Sequence, residues 1–185
     1  MRKNFGVKSW FYPQPVLIIA TYDENGNPDA MNAAWGGLYD GNKVELCLSA
    51  GHKTTKNIQA TGAFTVSFAD AANLVASDYV GLASANTEPK KMEKSGFHLT
   101  KSQFVNAPLI DELPVAMECK LVKINEDGNV IGEIVNVSAD ESVLGEDGNI
   151  DFSKFHPISF EPVHNGYHVL GQRVGNAFQD GAALK

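Results

Sequence analysis

Three short turn signals constrain this chain more than any other feature. Asp23-Glu-Asn-Gly-Asn-Pro28, Asn125-Glu-Asp-Gly-Asn129 and Glu146-Asp-Gly-Asn149 each set a glycine among asparagines and acids, which is the chemistry of a tight reversal. Pro15-Val-Leu-Ile-Ile-Ala-Thr-Tyr22 reads as a buried strand before the first turn, and Asp29-Ala-Met-Asn-Ala-Ala-Trp35 as its antiparallel partner after it. Val115 to Ile124 and Val130 to Val137 flank the second turn as a hairpin. The residues around the three turns do not match, so the recurrence is punctuation and not an internal repeat.

Between these hairpins the pattern changes. Gly36-Gly37 and Asp40-Gly-Asn42 punctuate, and Lys43-Val-Glu-Leu-Cys-Leu-Ser49 alternates with period two as a third strand, which makes the first three strands a meander. A short helix is expected over 54–61, capped by Thr54 or Thr55 and ended by Gly62, followed by the strand Ala63-Phe-Thr-Val-Ser-Phe68. Leu74, Val75, Tyr79 and Leu82 suit a second helix within 71–82, and Pro89 opens a short basic third helix that Gly96 ends. Pro157-Ile-Ser-Phe160 and Tyr167-His-Val-Leu170 are short final strands. Such an order predicts a mostly β chain with helical insertions, an antiparallel barrel. A length of 185 residues fits one domain over 1–185.

Charge narrows the function. A net charge of −7 disfavours nucleic acid and anionic membrane as partners. Residues 43–101 nevertheless hold seven lysines against five acids, a local balance that suits a small anionic ligand or, equally, a solvated helix face. Val16 to Ala20 is far too short to span a bilayer, and Met1-Arg-Lys leads into no signal-type apolar stretch, so the expected location is the cytoplasm. Cys47 and Cys119 sit in apolar runs and are expected as buried free thiols. The five histidines have no metal-ligand spacing, no nucleophile elbow is present, and no glycine fingerprint of the dinucleotide or P-loop kind occurs.

Two neighbouring stretches carry the candidate chemistry. His52-Lys-Thr-Thr-Lys-Asn57 could hold phosphate through the hydroxyls of Thr54 and Thr55, the free N–H groups of a helix start and the charge of Lys53. Its other reading is a polar, capped surface helix. Glu88-Pro-Lys-Lys-Met-Glu-Lys94, with Lys90 and Lys91, could add a second cationic arm or be a solvated face. Asn32-Ala33-Ala34-Trp35-Gly-Gly37 offers close backbone approach and an indole that could stack on a flat ring, or a core or interface tryptophan. Ser49-Ala50-Gly51 could bring more backbone to the same ring, or be a turn alone. Together these point to a phosphorylated aromatic cofactor.

Taken in order, Pro15-Val16, Asn32-Ala-Ala-Trp35, Leu48-Ser-Ala-Gly51, Lys53-Thr-Thr-Lys-Asn-Ile58, Phe64-Thr-Val66, Gly81-Leu-Ala-Ser84, Ala107-Pro108, Glu118-Cys119, Tyr167-His-Val-Leu-Gly171 and Gly175-Asn-Ala-Phe178 resemble the flavin reductase-like, FMN-binding split-barrel family, flavoredoxin branch. The resemblance implies a homodimeric antiparallel split β-barrel that binds FMN near the subunit interface. It implies Asn32 to Trp35 and Ser49 to Gly51 along the ring and ribityl chain, Lys53, Thr54 and Thr55 on the phosphate, and further contacts from Ser84, Asn86, Lys90 and Lys91. Many reductases of the family carry an arginine where this chain reads His52-Lys53. The family includes NAD(P)H-dependent reductases and carriers reduced by a partner protein, so either donor is implied. The same loop also suits a non-catalytic flavin-binding protein, or a split-barrel enzyme acting on a phosphorylated pyridine.

Overall fold

A computed structural model describes residues 1–185 as twelve strands and three α-helices. In chain order these are β1 (Gln14–Pro15), β2 (Leu17–Tyr22), β3 (Pro28–Ala33), β4 (Gly36–Asp40), β5 (Lys43–Leu46), α1 (Lys53–Thr61), β6 (Ala63–Phe68), α2 (Leu74–Leu82) and α3 (Lys91–Ser95). They continue with β7 (Leu99–Lys101), β8 (Pro108–Ile110), β9 (Val115–Ile124), β10 (Val130–Ala139), β11 (Ile158–Glu161) and β12 (Gly166–Val169). Seven strands form one antiparallel sheet in the order β3-β2-β6-β9-β10-β5-β4, with β1-β11-β12 and β7-β8 as smaller sheets.

The strand order explains the curvature. β3 and β4 are the two edges of the large sheet, yet only Ala34 and Trp35 lie between them in the chain. A sheet whose opposite edges are two residues apart has to curl until those edges meet. No ladder joins β3 to β4, so the resulting barrel is split at Ala34-Trp35. The amide of Cys47 donates to Trp35 O at 2.8 Å and holds that link in place.

The first hairpin and the 125–129 hairpin form as expected, with pairs running from Leu17↔Ala33 to Tyr22↔Pro28 and from Val115↔Ala139 to Ile124↔Val130. The meander does not. β5 pairs with β4 and β10, on the far side of the sheet from β3, and the segment 36–40 expected as punctuation is itself a strand. Close packing at Gly36 shows why. A Cβ there would stand 2.8 Å from Leu46 Cδ2 and 2.9 Å from Glu45 O, so β4 lies flush on β5. β5 also stops at Leu46 and not at Ser49.

The run Val16 to Ala20 is continuously apolar because its alternate residues feed two cores. Leu17 and Ile19 point into the barrel with Ile58, Phe64, Val66, Cys119 and Val130. Val16, Ile18 and Ala20 point outward beneath Val80 of α2, Phe97, Ile110 and Ile158. Ile58 also anchors α1 to the barrel interior. The helix ends in left-handed Gly62 (φ 70°), as expected, but its N-cap residue is His52, and Thr54 and Thr55 are buried inside the first turn. α2 starts at Leu74 because Asp70 Oδ1 accepts from the Asn73 amide at 2.9 Å in the preceding turn.

The two thiols differ. Cys119 is buried as expected, and burial, with the Glu118 carboxylate adding to it, pushes its pKa up to about 12. It therefore behaves as a small apolar side chain. Cys47 is exposed, against expectation, because β5 ends one residue before it and the chain leaves the barrel wall there.

Phe64 crosses β10 at Gly132, where a Cβ would stand 2.3 Å from Phe64 Cζ, and the β9–β10 register shifts between Ile131 and Gly132. Gly132→Ala should therefore destabilise the barrel by about 1–3 kcal/mol through overpacking. A lower denaturant midpoint at unchanged m-value checks this; an unshifted midpoint refutes it.

Candidate functional site

The barrel seam brings the sequence-predicted residues into two groups. Lys53, Thr54, Ser84 and Lys91 line one cavity of about 150 Å³ together with Asp29 and His52. Ala34 and Trp35 line a second, of about 390 Å³, with Phe11, Gly36, Gly37 and Cys47. A water takes about 30 Å³ of liquid, so the first cavity has room for a group the size of phosphate. It is too small for a fused ring system, for which several hundred cubic ångströms are usual.

β3 supplies the wall between them. As an edge strand it pairs only with β2, so its other edge meets no strand. Ala33 is buried in the barrel core and presents only backbone to that edge. The Asn32 side chain is committed elsewhere: its Nδ2 donates to Ser77 O of α2 at 3.0 Å. Gly81 packs so closely on it that a Cβ there would stand 2.9 Å from Asn32 Cβ. Tyr167 supports the same corner by donating to Asp78 Oδ1 at 2.8 Å. Burial first, then Asp78, pushes the Tyr167 hydroxyl up to about 12, so it stays a donor. Trp35 is 59% exposed, which excludes the core reading of this residue.

The loop Ser49-Ala50-Gly51 is exposed and tied down by its carbonyls. Ser49 O accepts from the His52 amide at 3.1 Å and from Thr55 Oγ1 at 2.9 Å, and Gly51 O accepts from Asn86 Nδ2 at 3.0 Å. Asn86 N donates to Ser84 Oγ at 3.3 Å, so the 84–86 loop and the 49–51 loop are fixed to one another. Lys90 stands apart, exposed, with Nζ 3.8 Å from Glu93 Oε2.

The start of α1 is the electrostatic centre of the smaller cavity. Lys56 N donates to His52 O at 3.2 Å, but the amides of Lys53, Thr54 and Thr55 donate to no acceptor within the chain. Unpaired N–H groups at a helix start, on the positive end of its dipole, form an arrangement that can receive an anion; Lys53 and Thr54 line the cavity and Thr55 does not. Both threonine hydroxyl protons are already committed, Thr54 Oγ1 to Asp29 Oδ2 at 2.7 Å and Thr55 Oγ1 to Ser49 O. That leaves the unpaired amides of Lys53 and Thr54, and not the hydroxyls, as donors at the cavity wall. Lys53 Nζ lies 3.4 Å from Asp23 Oδ2. Burial pushes the Asp23 carboxyl up, but hydrogen bonds from Asn27, Asn25 and Lys53 outweigh it and hold it below the usual carboxylate range.

Lys91 Nζ lies 3.1 Å from Asp29 Oδ1, and both side chains are almost fully buried. This overturns the solvated-face reading for Lys91. Asp29 was missed in the sequence, although an acid inside an otherwise apolar strand segment, between Pro28 and Ala30-Met31, was a signal that it is paired.

Comparison with known proteins agrees with this geometry. Residues 9–159 match the family described as flavin reductase like domain. The structure of the flavoredoxin of Desulfovibrio vulgaris (Miyazaki F) superposes with a TM-score of 0.93 at 34% identity, over 98% of this chain and 100% of that one. The flavoredoxin from Methanosarcina acetivorans gives 0.89 at 25% identity, over 100% of both chains. An uncharacterized protein of Aquifex aeolicus is 24% identical over 79% of each chain. The match of the family model to residues 9–159, on a curled and split antiparallel barrel, makes this chain a member of the flavin reductase-like family.

Proposed function

We propose that residues 1–185 are one FMN-binding domain of an oxidoreductase, with the FMN phosphate held at the start of α1 and the ring along the edge of β3 and beside Trp35. The observation that carries this reading is the phosphate-sized cavity lined by Lys53, Thr54 and Lys91 at the start of α1, where the amides of Lys53 and Thr54 have no acceptor within the chain. When bound, the flavin ring supplies the electron chemistry. The chain's own residues bind and orient: the amides and Lys53 fix the phosphate, the β3 edge offers backbone groups to a flat ring, and the exposed indole of Trp35 gives it an apolar surface.

The purified protein should be yellow and release FMN on denaturation. Lys53→Ala should weaken FMN by about 1–3 kcal/mol, a charge-assisted contact's worth, and leave riboflavin, which lacks the phosphate, nearly unchanged. Fluorescence titration with both flavins checks this. A colourless protein that takes up no added FMN sinks the reading, and equal losses for both flavins move Lys53 off the phosphate.

Two donors fit a flavin-linked oxidoreductase: NAD(P)H, or a redox partner protein. Likeness to two flavoredoxins over nearly the whole chain supports a partner protein. Under anaerobic conditions NADH and NADPH should then bleach the bound flavin slowly or not at all, while a ferredoxin-like donor reduces it at once. Rapid bleaching by either nucleotide alone assigns a reductase.

A homodimer accounts for the apolar face around Pro15, where three cavities meet. It also accounts for the exposed segments 1–13 and 168–185, which carry Phe5, Phe11, Val174 and Phe178. Exposed apolar surface of this extent marks an interface. Sedimentation should give twice the chain mass, and removal of residues 171–185 should shift it toward monomer; an intact chain that sediments as a monomer refutes the dimer. The proposed location is the cytoplasm, which cell fractionation can check; no helix is long and apolar enough to cross a membrane.

A further inference from the structure

Behind the phosphate-sized cavity lies a buried carboxylate that the binding role does not itself require. Asp29 is 2% exposed, and its two oxygens are used separately: Oδ1 accepts from Lys91 Nζ at 3.1 Å and Oδ2 from Thr54 Oγ1 at 2.7 Å. All three residues line the cavity. They come from three elements, β3, α1 and α3. We propose that Asp29 is the positioning residue of the phosphate subsite, holding the Lys91 ammonium and the first turn of α1 in the geometry that selects a phosphorylated flavin. The inference rests on the FMN reading above.

The physical reason is an imbalance that each partner alone would create. An ammonium as buried as that of Lys91 pays a large desolvation cost unless a counter-charge accompanies it, and Asp29 is that counter-charge. Lysine carries three N–H donors; one goes to Asp29, and no other acceptor within the chain takes the remaining two, at the wall of the cavity. On its other oxygen Asp29 accepts the Thr54 hydroxyl proton, which fixes the residue whose own amide points to the ligand. Without Lys91, the same carboxylate would face a phosphate with no cation between them. Asp29 therefore gives selectivity only as part of a pair.

The test is a double-substitution cycle read as the ratio of FMN to riboflavin affinity, with melting temperature measured alongside. The intact protein should prefer FMN. Lys91→Met should reduce the ratio by about tenfold or more, Asp29→Asn should also reduce it, and the double variant should recover a clear part of the Lys91→Met loss because the uncompensated carboxylate is gone. Thr54→Val, nearly isosteric, should reduce the ratio as well, and it carries the test if Asp29→Asn fails to fold. A general loss of structure would weaken both flavins together and leave the ratio unmoved. An unchanged ratio in folded Asp29→Asn, or in Thr54→Val if that variant alone folds, or a double variant no better than Lys91→Met, overturns the positioning role while leaving FMN binding intact. An intact protein that binds both flavins equally overturns the phosphate assignment itself.

Discussion

The two-residue link Ala34-Trp35 joins the opposite edges of the seven-stranded sheet, and most of the molecule's design depends on it. It forces the sheet to close on itself without letting the last ladder form. The inside of the curl becomes the core around Phe64 and Ile58, and the outside becomes a second core under α2. The open seam leaves one edge of β3 without a strand partner beside an exposed indole and a helix start. A fully hydrogen-bonded barrel would have no such edge to offer.

Charge is organised around the same seam. Two lysines of the smaller cavity each meet a carboxylate, Lys53 with Asp23 and Lys91 with Asp29. The first pair is partly exposed and screened by water, so it contributes little. The second is buried, where each charge depends on the other. With both lysines already paired, directed N–H groups are what the start of α1 adds. On the proposed reading the phosphate is selected by directed N–H donors more than by excess charge, which suits an acidic chain of net charge −7.

Much of this was legible in the sequence, and for local reasons. Gly26 and Gly128 hold positive φ in the turns that the asparagine-glycine pattern marks, and Gly62 and Gly96 do so at helix ends. Such positions are decided by neighbours one to four residues away. The unbroken apolar run 16–20 signalled a strand covered on both faces. Where the reading failed, distance in the chain was the cause. Sequential strands usually pair, which places the third strand beside the second, whereas the flush contact of Gly36 on β5 and the β5–β10 ladder put it on the far side of the sheet, between β10 and the edge strand β4.

By itself the sequence determined the alternation of strands and turns, the C-terminal ends of the helices, the small residues at the seam and the lysine- and threonine-rich start of α1. Each of these is fixed by local conformational preference or by the period of apolar residues. Only the tertiary structure decided that Thr54 and Thr55 turn their hydroxyls inward, that Cys47 is exposed, and that Lys91, in a segment that reads as solvated, is buried on Asp29. Those two residues are 62 positions apart. No local rule pairs them, because an ion pair at that separation exists only after β3, α1 and α3 have packed together and excluded water from between them.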